Sequence, residues 1–160
     1  MEHVDPKQPF LPSLLDRLLP ANGEGNSGRF GYTVAQMIDS VRRDLENLLN
    51  TRRTVEDWPS DFVEVSNSIL AYGMPDLTAF NAGAPREREE LALLIGDALT
   101  RFEPRLRDVR VSLVEVGTAK TPKAHFHIEA RLRMEPALTV NFETILDVPA
   151  GHAAVLPSET

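Results

Sequence analysis

The chain contains no cysteine. This absence excludes a disulfide scaffold, a thiol nucleophile and every zinc or iron–sulfur site that depends on thiolate ligands. No apolar run approaches the roughly 20 residues that span a bilayer, so no transmembrane helix is predicted. The first five residues are Met-Glu-His-Val-Asp and lack the apolar stretch of a signal peptide. The sequence therefore favours a cytoplasmic protein with no direct insertion into a membrane.

Positive charge is also scarce. Of the 160 residues, 17 are Lys or Arg and 24 are Asp or Glu, which gives a formal net charge of −7. A protein that coats nucleic acid or an acidic membrane needs the opposite sign, so nucleic acid is not an expected partner. Hydrophobic residues make up 42% of the chain and charged residues 26%, as in ordinary globular domains. The length suits one domain of roughly 100–200 residues.

Apolar residues recur at helical spacing in three segments. Thr33 is the predicted N-cap of the second segment. Pro85 suits the first position of the third, and Pro104 ends it. The segment 63–71 is apolar and ambiguous, with a short helix as one interpretation. The predicted helices are a short one over 11–19, a long one over 34–50 and a third that runs from Pro85 until Pro104.

After Pro104 the period of the apolar residues changes from 3.6 to 2, which predicts three half-buried strands. We expect an antiparallel meander in chain order, with 123–133 in the centre and 108–116 and 139–147 at the edges. Helices followed by such a meander predict an α+β domain, with the N-terminal helices packed on one face of a small three-stranded sheet. The expected organisation is a flexible N-terminus at 1–10, a single domain at 11–148 and a C-terminal tail at 149–160.

The sharpest local feature is the corner between the third helix and the first strand. A proline after Glu103 disfavours helical geometry at that residue, so one acid and two arginines lie at a turn. One interpretation is a helix stop with solvated charges, and the other is a binding site. The corner reads Arg101-Phe102-Glu103-Pro104-Arg105-Leu106.

Two enzymatic alternatives stay open at this point. Glu103 with a second carboxylate would hydrolyse a glycoside, as in a muramidase that cleaves peptidoglycan, but no partner carboxylate is placed at the required separation. His125 and His127 lie on one strand face and with Glu129 would ligate the metal of a hydrolase, but no fourth ligand is evident. No P-loop, dinucleotide motif or nucleophile elbow occurs. We therefore expect no catalytic residues, no metal and no cofactor.

Short motifs occur in a specific order over residues 12–148. The ordered set resembles the TssE family, the baseplate wedge subunits of bacterial type VI secretion systems. That family is similar to the lysozyme-like wedge subunits of contractile phage-tail baseplates. The motifs are SLLDRL at 13–18, LENLLNTRR at 45–53, SILAYGMPDL at 68–77, FEPRL at 102–106, IEARL at 128–132 and NFET at 141–144.

The resemblance implies a structural protein and not an enzyme. Such subunits bind the wedge proteins TssF and TssG, with TssK as a further candidate, and initiate assembly of the contractile sheath of TssB and TssC. The Glu-Pro-Arg motif is the family's hallmark and is associated with docking on the helical bundle of the wedge. The baseplate would assemble in the cytoplasm near the inner membrane. The candidate partner-binding residues are Arg101, Glu103, Pro104, Arg105, Asn141 and Glu143.

A sheath initiator also needs a surface on which the sheath can start. Edge strands of a sheet expose unpaired N–H and C=O groups, and these accept a strand from a partner. Of the two expected edges, 139–147 has the less charged outer face. The sequence therefore favours 139–147 as the accepting edge.

Overall fold

The structure is a computed structural model of the 160-residue chain. It confirms an α+β fold, in which helices precede an antiparallel sheet. The predicted helix at 11–19 and the predicted flexible segment 1–10 lie outside the described residues. The structure describes residues 33–54, 58–59, 61–77, 80, 84–116, 123–134, 136–147 and 150–157.

Helix α1 spans Val34–Asn50, as predicted. It begins with a reciprocal cap, because the Thr33 hydroxyl accepts a hydrogen bond from the Gln36 backbone N–H at 3.2 Å. The Gln36 side chain in turn accepts one from the Thr33 N–H at 2.9 Å. This arrangement satisfies two N–H groups that the first turn of a helix leaves without a partner. Local chemistry is therefore enough to define where α1 starts.

The segment that was ambiguous in the sequence is mostly helical but short. Helix α2 spans Val63–Ser66, and a single 3₁₀ turn follows at Ile69–Ala71. Helix α3 spans Pro85–Phe102, with its proline in the first turn as predicted. The Glu103 N–H still donates to the Leu99 carbonyl at 2.9 Å. Pro104 has no N–H to continue this ladder, so the helix ends there.

Within the described residues the sheet has four strands, and the prediction of three is wrong. Their order is β1-β2-β3-β4 with every pair antiparallel, so the meander in chain order is confirmed. The fourth strand comes from residues that the sequence analysis assigned to a C-terminal tail. Two adjacent alanines in it blur the alternation that marks the other strands. The strands are β1 Leu106–Val116, β2 Lys123–Leu132, β3 Thr139–Asp147 and β4 His152–Pro157.

The fourth strand changes which strands form the edges. Because β4 pairs with β3, β3 has a neighbour on both sides and is not an edge. The expectation that 139–147 accepts a partner strand is therefore wrong. Among the described strands the edges are β1, as expected, and β4.

One hydrophobic cluster joins the helices to the sheet. Helix α3 packs on β1, and helix α1 packs on β4. Alternate residues of the strands are buried between the helices and the sheet. None of the described helices combines the length and the apolar composition needed to cross a membrane. The largest fully buried side chains of the cluster include Val41, Leu45, Leu91, Ile95, Leu99, Phe126, Ile128, Phe142 and Val155.

A close backbone contact ties the end of α1 to the segment that leads to α3. The Met74 N–H donates to the Thr51 carbonyl, and the Arg53 N–H donates to the Met74 carbonyl, both at 2.8 Å. Gly73 lies in this contact with φ of +103°. A Cβ at this position would lie 2.3 Å from the Thr51 carbonyl oxygen, so only glycine fits.

We expect Gly73→Ala to lower the free energy of unfolding by about 2–4 kcal/mol, because backbone strain and steric overlap add. Gly151→Ala is the matched control. Gly151 also has positive φ, but a Cβ there meets nothing within 4 Å, so its cost is about 1 kcal/mol. Urea denaturation measures both. Equal losses from the two variants would contradict a role for the close contact.

Candidate functional site

The corner after α3 is built around an ion pair between Glu103 and Arg105. Glu103 Oε1 accepts hydrogen bonds from the backbone N–H of Arg105 at 3.1 Å and from its Nε at 2.7 Å. Glu103 Oε2 accepts from Arg105 Nη2. The turn at Pro104 lets the carboxylate at the end of α3 reach the guanidinium that precedes β1. Both oxygens of Glu103 are thus bound by one residue.

Helix α1 supplies the other partners of the guanidinium. Arg105 Nη1 donates to Ser40 Oγ at 3.1 Å, and Arg105 Nη2 donates to Asp44 Oδ2 at 2.6 Å. Ser40 and Asp44 lie one turn apart on α1, so they face the same direction. Arg105 therefore links α1 to the end of α3 and to the start of β1. We call Ser40, Asp44, Glu103 and Arg105 the corner cluster.

Burial shows that the corner cluster is largely enclosed by the protein. Glu103 is only 5% exposed, and the side chain of Arg105 is 22% exposed. A helix stop with solvated charges is therefore the wrong interpretation of the motif. Pro104 is the exposed residue of the Glu-Pro-Arg motif. The turn therefore exposes the rigid proline ring beside the ion pair of Glu103 and Arg105.

The cluster also affects its titratable neighbours. Burial disfavours the charged guanidinium of Arg105, but the hydrogen bonds and negative charges of Glu103 and Asp44 outweigh it and raise the pKa of Arg105. Burial and then the charges of Asp44 and Glu103 raise the pKa of the Tyr72 phenol. Its ring packs edge-on against Phe102, with 5.4 Å between the centroids. The site at neutral pH thus contains a permanent cation and a neutral phenol.

Pro104 lies between Glu103 and Arg105 in the chain, and the three other predicted site residues lie outside the corner cluster. Arg101 donates to Asp97 at 2.8 Å and to the Ser66 carbonyl at 3.1 Å, so it ties α2 to α3. Asn141 and Glu143 lie on β3, on the sheet face opposite the buried residues. Glu143 Oε1 lies 2.8 Å from His127 Nδ1 on the neighbouring strand. The structure brings Glu103 and Arg105 together and does not bring the other three to them.

Sequence reasoning missed Ser40, Asp44 and Tyr72. A signal for the first two was present, since both border the apolar stripe of α1 at a spacing of one turn. A polar pair beside a buried stripe indicates a partner on another element, because buried polar groups need hydrogen bonds. The sequence does not identify that partner.

The geometry does not favour chemistry at Glu103. A general acid must reach the substrate, whereas this carboxylate is buried and both its oxygens are bound by Arg105. In the part of the chain that the structure describes, no three His, Asp or Glu side chains form a metal site. That part includes His125, His127 and Glu129. The ion pair of Glu103 and Arg105 is suited to stabilising the turn at Pro104.

Comparison with known protein families gives a match. The family model for baseplate wedge protein gp25 matches residues 35–137, which is more than half of the chain. The matched range contains α1 except for Val34, and it contains α2, α3, β1, β2 and the corner cluster. No curated protein and no solved structure matches the chain.

Arg105→Ala is expected to lower the free energy of unfolding by about 3–5 kcal/mol, because it leaves the buried Glu103 carboxylate without its cation. Arg107→Ala is the control, since Arg107 is the same residue type two positions on and is exposed. Its loss should be at most about 0.5 kcal/mol. Chemical denaturation of both variants measures the difference. Similar losses would mean that the cluster contributes no more than a surface charge does.

Proposed function

Because the chain belongs to the gp25 family of baseplate wedge proteins, we propose that it is the TssE-type wedge subunit of a type VI secretion baseplate. The family is one of structural, phage-tail-like baseplate proteins, and the proposed role is accordingly assembly and not catalysis. The observation that carries the proposal is the match over 35–137, which includes the whole Glu-Pro-Arg corner. The baseplate would assemble in the cytoplasm near the inner membrane.

The first part of this role is binding to the other wedge subunits, TssF and TssG, with TssK as a further candidate. The corner supports it, because the buried cluster holds the exposed Pro104 in one geometry. A surface that is rigid before binding loses less conformational entropy when a partner docks. The Arg105 side chain is 22% exposed, and a guanidinium forms charge-assisted hydrogen bonds with an acidic partner that reaches it. Arg101, Asn141 and Glu143 are additional candidate contacts.

The second part is initiation of the contractile sheath of TssB and TssC. The antiparallel sheet supports it, because strand addition takes place at the edge of a sheet, and the edges formed by the described strands are β1 and β4. A sheath subunit that adds a strand to the wedge would begin the first ring of the sheath. The partner-binding corner and the sheet edges thus serve different contacts.

For the wedge contact, we expect Arg105→Ala to abolish co-purification of TssF and TssG with the full chain. The variant loses a partly buried hydrogen-bonding cation and the geometry of Pro104, and removing one member of such a pair costs roughly 2–5 kcal/mol of binding. Arg107→Ala should retain both partners. Thermal denaturation must accompany the pull-down at a temperature where Arg105→Ala is folded. Intact co-purification from the folded variant would contradict a docking role for the motif.

For catalysis, we expect the purified protein to leave peptidoglycan intact. A muramidase needs an accessible acid, and Glu103 is enclosed by Arg105. The assay measures the release of soluble muropeptides from purified cell walls, and a lysozyme serves as the positive control. Turnover that disappears in a folded Glu103→Gln variant would overturn the assembly role.

A further inference from the structure

We propose that the outer face of the sheet carries an arginine patch that binds an acidic segment of a partner protein other than the wedge subunits. The patch consists of Arg107 and Arg110 on β1 and Arg131 on β2. It lies on the face of the sheet that points away from the helices, and it binds through side chains and not through the backbone of an edge strand. This contact is separate from the corner and does not require the proposed baseplate role.

The burial of β2 and of the start of β1 places two of the arginines on this face. Ala130 and Leu132 are buried, so Arg131 between them points to the opposite face of the sheet. Leu106 is in register with Leu132 and is buried too. Arg107 is in register with Arg131, and both arginines are exposed. Two guanidinium groups therefore project side by side from strands that lie about 4.8 Å apart.

A bulge in β1 brings Arg110 to the same face. The register shifts between Arg107 and Arg110, because three steps along β1 match the two steps from Arg131 to Glu129 along β2. Residues three apart in a regular strand point to opposite faces, so the extra residue turns Arg110 outward. Within the bulge, Asp108 has φ of +54°, a left-handed backbone that residues other than glycine seldom adopt. Bulges of this kind commonly redirect a side chain at functional positions.

The positive charge of the patch has little compensation within the described part of the chain. No described carboxylate forms an ion pair with Arg107 or Arg110. Arg131 lies 3.7 Å from Asp108, but both side chains are 59% exposed, so solvent screens this pair. Like charges directly opposite on neighbouring strands destabilise a sheet. Because the whole chain carries a net charge of −7, a local cluster of the opposite sign favours an acidic partner.

The spacing of the arginines indicates where the partner carries its acids. Arg107 and Arg131 can hold one carboxylate between them, since a guanidinium offers paired N–H donors to a carboxylate. Arg110 lies one register step further, at the position opposite Glu129. Two residues of a strand span about 7 Å. We therefore expect acidic side chains at about this separation, which alternate positions of an extended segment provide.

The same face is poorly suited to an array of phosphates. Asp108 and Glu129 are exposed among the arginines. Nucleic acid and an anionic bilayer both present closely spaced phosphates, so these two carboxylates would face negative charge as well. A protein segment places its acids only at chosen positions and avoids that repulsion. The mixed charge of the face thus favours a protein partner.

The test measures binding of a short fluorescent peptide of alternating glutamate and serine to the full chain by fluorescence anisotropy. A peptide of alternating glutamine and serine is the matched probe without charge. We expect the glutamate peptide to bind and the glutamine peptide not to bind. Its affinity should fall as salt is added, because ions screen exposed charges.

A double variant with Arg107→Gln and Arg131→Gln tests which residues carry the binding. It should weaken binding of the glutamate peptide by roughly tenfold or more, since hydrogen bonds to charged groups contribute at that level. Its melting temperature should not fall, because the substitutions relieve repulsion between neighbouring strands. Arg86→Gln is the control, since Arg86 is exposed in the first turn of α3. Its affinity should stay within about twofold of the unchanged chain.

The other outcomes each have a definite meaning. Equal binding of the two peptides, or full affinity in the folded double variant, would overturn the proposal. Tighter, arginine-dependent binding of a DNA duplex or of phosphatidylglycerol vesicles would assign the patch to phosphates and overturn it as well. Loss of TssF and TssG from the folded double variant would assign the patch to the wedge contact. Failure of the unchanged chain to bind TssF and TssG would overturn the proposed function and leave this inference intact.

Discussion

The ion pair between Arg105 and Glu103 is the interaction on which the arrangement of the helices and the sheet depends. A buried carboxylate is tolerated only when it is paired and hydrogen-bonded, and here one guanidinium does both. The same guanidinium reaches Asp44, so the corner cannot shift without breaking a contact to α1. Because Leu106 follows directly, the start of β1 and the direction of the whole sheet are tied to this contact.

The second organising feature is the difference between the two edges of the sheet. Proteins commonly protect exposed edges, since unpaired strands attract other chains. Here α1 protects β4 through Asn50 and Arg42, whereas α3 packs beside β1 and leaves a groove along its edge. Both apolar and polar residues line this groove, and they include Leu93, Val111, Leu113, Arg88 and Glu89.

Both features fit an assembly protein better than an enzyme. Glu103, the acid that suggested a muramidase, stabilises the turn at Pro104. Burial and nearby negative charge raise the phenol pKa of its neighbour Tyr72. The described surface includes the exposed Pro104 at the corner and the edge strand β1. These features agree with membership of a family of structural baseplate proteins.

The sequence by itself determined the features that depend on near neighbours in the chain. The start of α1 was predictable because Thr33 and Gln36 cap it within three residues. The two ends of α3 were predictable because Pro85 favours a helix start and Pro104 stops a helix, each through its immediate neighbours. Alternation of apolar residues predicted β1, β2 and β3 for the same reason. Only the tertiary structure decided which strands are edges, because the pairing of β4 with β3 depends on spatial contact and its two alanines hide the alternation. It also decided the partner of Arg105, since Asp44 lies 61 residues earlier and the distance between them is set by packing.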